Sequence, residues 1–160
     1  MEHMQEIHGL LKKAYATELA ADCCPEKETD ICGFEERHQV KLPADYRWLL
    51  LNFGAFQFGE EPFLYALSDL GYEYPMFLET YSDYQENYPD LPSDLEPFPI
   101  GVFGEGSIAF LNRKDGKVFM LIHDCNDDVP LQEIAPSFFE LVKTRAEGIV
   151  SWSENNGGQS

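Results

Sequence analysis

The sequence predicts an α+β fold, a central antiparallel or mixed sheet flanked by N-terminal and C-terminal helices. Three observations carry that reading. Apolar residues recur at three-and-four spacing near both ends of the chain. The middle holds short aromatic-rich runs separated by Gly, Pro and Asp-Gly breaks, the pattern of strands joined by hairpins. With 160 residues, the chain has the length of one domain, able to bury roughly two-thirds of its extended surface around a single core.

Residues 3 to 22 read as a first helix on the stripe Ile7, Leu10, Leu11 and Ala14, closed by Pro25. A short second helix covers "DICGFEERH". In "VKLPADYRWLLLNFG", Pro43 suits the first helical position and Asp45 faces the positive end of the helix dipole. Tyr46, Leu49, Leu50 and Phe53 then share a face, and Gly54 offers the left-handed residue that closes a helix. "AFQFG" and "PFLYAL" read as short strands. "PMFLETYSDYQENY" predicts a helix with Phe77, Tyr81 and Tyr84 inward and Glu79, Asp83 and Glu86 toward water. "PDLPSDLEPFP" breaks every regular pattern and reads as a connector. Strands resume at "PIGVFG" and "SIAFLN", turn through "NRKDGK" on the Asp-Gly pair and return along "KVFMLIH". Ser137 and Glu140 form an S-x-x-E capping box that starts a last helix at Phe138, running to about Gly148 with Phe138, Leu141 and Val142 buried. Residues 1–152 are therefore expected to form the domain and 153–160, within the apolar-free "SENNGGQS", a flexible polar tail.

Charge narrows the function. Asp and Glu number 29 against 11 Lys and Arg, a formal net charge of −18. Such a chain repels nucleic-acid backbones and anionic lipid surfaces, and it attracts and steers cationic partners. From Trp48 to Asn112 there is no Lys or Arg at all, while acids recur from Glu60 to Glu105. High net charge also serves solubility alone. The hydrophobic share of 44% argues for a packed globule over a disordered acidic chain. Cys23, Cys24, Cys32 and Cys125 show no evenly spaced framework, "MEHMQEIHGLLKK" lacks the design of a signal peptide, and no run is long enough to span a bilayer. These features read as reduced thiols in a cytoplasmic protein.

The motifs that could carry chemistry each fall short. "GVFGEG" lacks the following helix and the lysine of a phosphate loop, and Glu105 would repel phosphate, so it reads as a tight turn. "DCNDD", residues 124 to 128, begins like a calcium loop but has Val129 where glycine is needed and Ala135 where the bidentate Glu belongs. The four cysteines and four histidines show no C-x-x-C or H-x-x-x-H spacing, and no metal or cofactor is expected. Neither Ser68 nor Ser107 lies in a G-x-S-x-G elbow, Ser137 caps a helix, and His123 beside Asp124 would point to the opposite face of a strand. No catalytic residue is assigned. Tyr81, Tyr84 and Tyr88 read either as helix core or as rigid interface anchors with a polar tip.

Several pieces taken together resemble the Smi/Knr branch of the SUKH superfamily. They are Phe34-Glu35, Leu42-Pro43 with Asp45-Tyr46 and Leu49-Leu50, Gly116-Lys117-Val118 through His123-Asp124, and Ile134-Ala135 with Ser137-Phe138. The chain departs from the family habit at Asn52-Phe53-Gly54, where Asn-Gly is common, and at Pro136, where Asp often stands; residues 72 to 97 match no motif. The resemblance implies a sheet flanked by helices and a non-catalytic role. Bacterial members are mostly immunity proteins against polymorphic toxins, many of them nucleases, and fungal relatives are regulators of cell-wall synthesis acting through protein contacts. The expectation is a monomer or weak homodimer that neutralises a basic toxin domain by occlusion, the alternative a regulatory adaptor, and a hydrolase or metal enzyme the third reading. Glu79, Asp83, Glu86, Asp90 and Asp94 would supply the field, with Tyr84 and Tyr88 as anchors.

Overall fold

The computed structural model describes residues 2–16, 24–55, 62–123 and 130–156. Along the chain run α1 (Glu2–Tyr15), α2 (Glu28–His38), α3 (Ala44–Asn52), β1 (Phe63–Leu64), α4 (Leu67–Asn87), β2 (Pro97–Val102), β3 (Ile108–Asn112), β4 (Val118–Leu121), β5 (Leu131–Ala135) and α5 (Phe138–Asn156). The strands form one five-stranded sheet in sequence order. Every neighbouring pair is antiparallel, so the sheet is a meander within an α+β fold.

Turn chemistry sets this order. Between β3 and β4, Gly116 adopts φ +78°, and its N–H donates to the Asn112 carbonyl at 2.8 Å. Between β2 and β3, the N–H of Phe103 donates to the Ser107 carbonyl at 2.7 Å and that of Gly106 to the Phe103 carbonyl at 3.0 Å. The "GVFGEG" segment is thus a turn between strands. Two strands differ from expectation. The "PFLYAL" strand shrinks to Phe63–Leu64 because Ala66 already caps α4. β5 was not anticipated: Gln132 and Glu133 are both exposed, which breaks the period-two pattern, and the register shift between Val118 and Phe119 leaves Ile134 as an extra residue in the strand.

Register divides the sheet into two apolar faces, because residues directly opposite across strands share a side. Ala109 lies opposite Met120 and Leu111 opposite Val118; on the other side Ile108 pairs with Leu121 and Phe110 with Phe119. The first face joins Ile7, Leu11 and Ala14 of α1, Tyr46, Leu49 and Leu50 of α3, and Phe138, Leu141 and Val142 of α5 in the main core. The second face is covered by Phe77 and Tyr81 of α4 and by Leu91. α4 spans both clusters, since Leu70 and Tyr74 of its first half belong to the main core.

The helix boundaries move for identifiable reasons. α1 runs to Tyr15, with Lys12 and Lys13 in its last turn against the negative dipole end; residues 17–22 of the expected helix lie outside the described residues. The Tyr15 hydroxyl donates toward the carbonyls of Gly54 and Ala55, each at 3.2 Å. α3 begins one residue after Pro43, which serves as its cap. Gly54 closes it at φ +92°, where a Cβ would fall 2.3 Å from the Cys24 carbonyl oxygen. Only glycine fits there. α4 begins at Leu67 rather than Pro75 because two carboxylates satisfy its open end: Asp69 accepts the Ala66 N–H at 3.0 Å and Glu26 the Leu67 N–H at 2.7 Å. The Ser137 cap of α5 is in place, its Oγ accepting the Glu140 N–H at 3.1 Å. That helix continues through Gly148 to Asn156, so residues 153–156 are helical; 157–160 lie outside the described residues.

The Phe34-Glu35 and Leu42-Pro43-x-Asp45-Tyr46 pieces turn out to be one structural unit. Glu35 is 6% exposed, and its carboxylate accepts the Leu42 N–H at 2.9 Å. Nε of Arg47 lies 3.6 Å from the same carboxylate, and Nη2 of Arg47 pairs with Glu28. One buried carboxylate therefore fixes the α2–α3 corner. Glu35→Ala strands the buried Leu42 N–H and is expected to lower unfolding free energy by about 2 kcal/mol in urea denaturation. Glu35→Gln keeps an acceptor and loses the long ion pairs to the exposed Lys41 and the partly exposed Arg47, so it should cost less than about 1 kcal/mol.

Candidate partner-binding surface

α4 presents its outer stripe to solvent because its apolar residues are used on the opposite side. Phe77 and Tyr81 are buried, and Glu79, Asp83 and Glu86, spaced four and three apart, are exposed on one line along the helix. Asp90 and Asp94 follow in the loop that Leu91 pins to the sheet, and both are exposed. Ion pairs among the described residues join Lys41 to Glu35, Arg47 to Glu28 and Glu35, and Lys117 to Glu133. None involves the five acids of α4 and its loop, so that negative charge is balanced by no adjacent base.

The three tyrosines divide. Tyr81 is core, 6% exposed, and its hydroxyl meets no hydrogen-bond partner among the described residues. Burial, reinforced by the Asp94 charge, pushes its phenol above the usual range. Tyr84 is half-buried and donates to the Ile122 carbonyl at 3.1 Å. Tyr88, expected to be the most exposed, is half-buried as well, its ring 5.5 Å from that of Tyr84. The reason is the loop, which turns back onto the sheet with the Leu91 N–H donating to the Tyr88 carbonyl at 3.0 Å.

Asp83, Tyr84, Asn87 and Tyr88 line one wall of a groove of about 550 Å³ whose other wall includes Gly106 and His123. The groove thus brings together Asp83, Tyr84 and Tyr88, whereas Glu79, Glu86, Asp90 and Asp94 stand outside it. His123 is positioned by its own N–H, which donates to the buried Ser107 Oγ at 3.0 Å. Strand geometry carries the imidazole to this groove from a place in the chain that gave no hint of it.

Three further residues went unnoticed in the sequence. Tyr72 is 66% exposed, Met76 44% and Leu78 47%. Tyr72 and Met76 continue the line of Glu79, Asp83 and Glu86 at three-and-four spacing, so the acidic stripe has an apolar end. A helix read from Pro75 hid that line; one started at Leu67 would have exposed it.

Of the motifs weighed as chemistry, "GVFGEG" through Gly106 and His123 reach the groove. The "DCNDD" segment, Asp124, Cys23 and Cys125 lie outside the described residues, as does most of "AFQFG". Cys24 and Cys32 are exposed free thiols, and among the described residues no group of His, Cys, Asp or Glu is arranged to hold a metal ion. No described helix is long and apolar enough to cross a membrane.

No curated protein matches the chain. A family model, described as the SMI1 / KNR4 family (SUKH-1), matches residues 25–144. That span runs from the segment before α2 into α5 and includes the acidic stretch for which no motif could be aligned. It holds the α2–α3 corner built on Glu35, the whole meander and the Ser137 cap. On the strength of that match and of the corner, sheet and cap that it encloses, the chain belongs to the SMI1 / KNR4 family (SUKH-1).

Proposed function

We propose that the chain is a non-catalytic binding protein of the cytoplasm, an immunity protein that neutralises a basic, nuclease-type toxin by laying the acidic stripe of α4 over it. The observation that carries this reading is the line Glu79, Asp83, Glu86, exposed and unpaired by any base among the described residues, with Asp90 and Asp94 beyond it. Domains that hold phosphates present cationic clefts, and an anionic helix competes for such a cleft without performing chemistry. α4 has 21 residues, about 32 Å of length at 1.5 Å per residue. That suits an interface of ordinary size, about 800 Å² on each partner. Tyr72, Met76 and Leu78 add the exposed apolar area that charge alone lacks.

The test is genetic. The reading frame beside this one is expressed alone and together with this chain. Lethality alone and survival together are expected. A harmless neighbour, with host proteins co-purifying instead, would contradict the immunity role and favour a regulatory adaptor acting through the same face.

A further inference from the structure

Within the proposed partner face, the groove between the C-terminal half of α4 and the β2–β3 turn has a chemistry of its own. We propose that it receives the guanidinium of a single arginine side chain of the protein partner. This rests on reading α4 as the partner-binding helix, but it concerns a site to which, of the five exposed acids, Asp83 alone contributes.

The argument begins with the walls. Tyr84 and Tyr88, one helical turn apart, hold their rings 5.5 Å from each other at a tilt of 37°. The Tyr84 ring is held in place, because its hydroxyl donates to the Ile122 carbonyl at 3.1 Å. Asp83 sits exposed at the groove's edge. Gly106 and His123 close the far side, where a Cβ on Gly106 would touch the imidazole at 3.5 Å. Among the described residues, the groove's lining contains no Lys or Arg. Its volume of about 550 Å³ is in the range of clefts that enclose small molecules.

Electron-rich phenol faces attract a cation, and an adjacent carboxylate gives it a hydrogen-bonded counter-charge. A phosphate or carboxylate ligand would meet Asp83 with the wrong sign. A neutral aromatic ligand would leave that carboxylate without a counter-charge. Between the two cationic side chains, the planar guanidinium stacks on a ring while forking onto a carboxylate, and an ammonium does only one at a time. Arginine is therefore the side chain the groove selects.

The experiment uses the full chain, ¹⁵N-labelled, titrated with acetyl-Gly-Arg-Gly-amide and with its citrulline and lysine counterparts. Amide shifts are expected at Tyr84, Tyr88, Gly106 and His123. Citrulline keeps the shape and loses the charge, so it should bind at least about tenfold more weakly. Asp83→Asn, at an exposed position, should weaken the arginine peptide by a similar factor. Tyr88→Leu should do the same, with the remaining spectrum reporting that the fold persists. Equal binding of the citrulline or lysine peptide, shifts confined to Glu79 and Glu86, or no shift with the arginine peptide would each overturn the proposal. Its failure is separable from that of the immunity reading. Toxin binding that depends on Glu86 and Asp90 but ignores Tyr88→Leu removes only the arginine site. An arginine peptide in the groove beside a harmless neighbouring gene removes only the toxin.

Discussion

Tyr46→Ala is expected to lower the unfolding free energy by about 4 kcal/mol, the scale of a large aromatic lost from a core. Tyr46 is 0% exposed. Its ring meets those of Phe98 on β2 at 6.2 Å and Phe138 on α5 at 5.7 Å. Its hydroxyl donates to the Tyr65 carbonyl just past β1, and the Tyr65 N–H in turn donates to the Ile100 carbonyl at 2.8 Å. One side chain thus ties α3 to the sheet and to the last helix. Burial, then the charges of Asp69 and Glu26, hold the phenol well above its usual pKa. Tyr46→Phe keeps the ring contacts and strands the carbonyl, a loss of about 1 to 2 kcal/mol. Urea unfolding of both variants measures the difference. A cost below about 1 kcal/mol for alanine would mean that the α3–sheet contact is not central to the core.

Neutralising Asp83, Glu86 and Asp90 together, as Asn, Gln and Asn, should act in opposite directions on binding and on stability. Association with a basic partner should slow by about tenfold or more at low salt, because the removed charges are exposed and steer the encounter. The folded chain should lose nothing and gain a few tenths of a kcal/mol. Glu79 with Asp83 and Asp83 with Glu86 are like-charge pairs at helical spacing, which disfavour the helix. The last turn of α4 also carries no base to complement the negative end of its dipole. Local physics therefore opposes this placement of acids, which the proposed capture of a basic partner would explain. A variant that is less stable and equally fast would assign these carboxylates to the fold.

Where local chemistry decides structure, the chain could be read directly. Pro43 and Gly54 bracket α3, Asp115-Gly116 turns β3 into β4, and Ser137 opens α5, all through bonds between near neighbours. Where a distant group decides, it could not. The Leu67 N–H is satisfied by Glu26, 41 positions away, so the true start of α4 was invisible and with it the exposed line from Tyr72 to Glu86. β5 escaped because two adjacent exposed residues, Gln132 and Glu133, conceal its alternation until β4 supplies the register. α5 outran Gly148 because one glycine costs a helix only about 1 kcal/mol, and Ile149 is buried beyond it.

The candidate surface followed the same division. Asp83, Tyr84 and Tyr88 were legible as a charged aromatic segment, since they lie within six residues of one another in the chain. The inward face of the helix put Tyr81 in the core as read; that Tyr84 and Tyr88 would wall a groove depended on where the Leu91 loop folds back. Gly106 and His123 reach that groove only through the β2–β3–β4 register.

The measurement that bears most directly on the role of α4 is the association rate of this chain with the product of its neighbouring gene, taken at about 50 mM and about 500 mM salt. Exposed charges lose most of their reach as the screening length falls from more than 10 Å to a few ångströms. The wild-type rate should drop by about tenfold or more between the two conditions, while the Asp83, Glu86 and Asp90 triple variant should be slow at both. Equal rates and equal salt dependence for the two proteins would contradict the claim that the acidic stripe of α4 captures the partner.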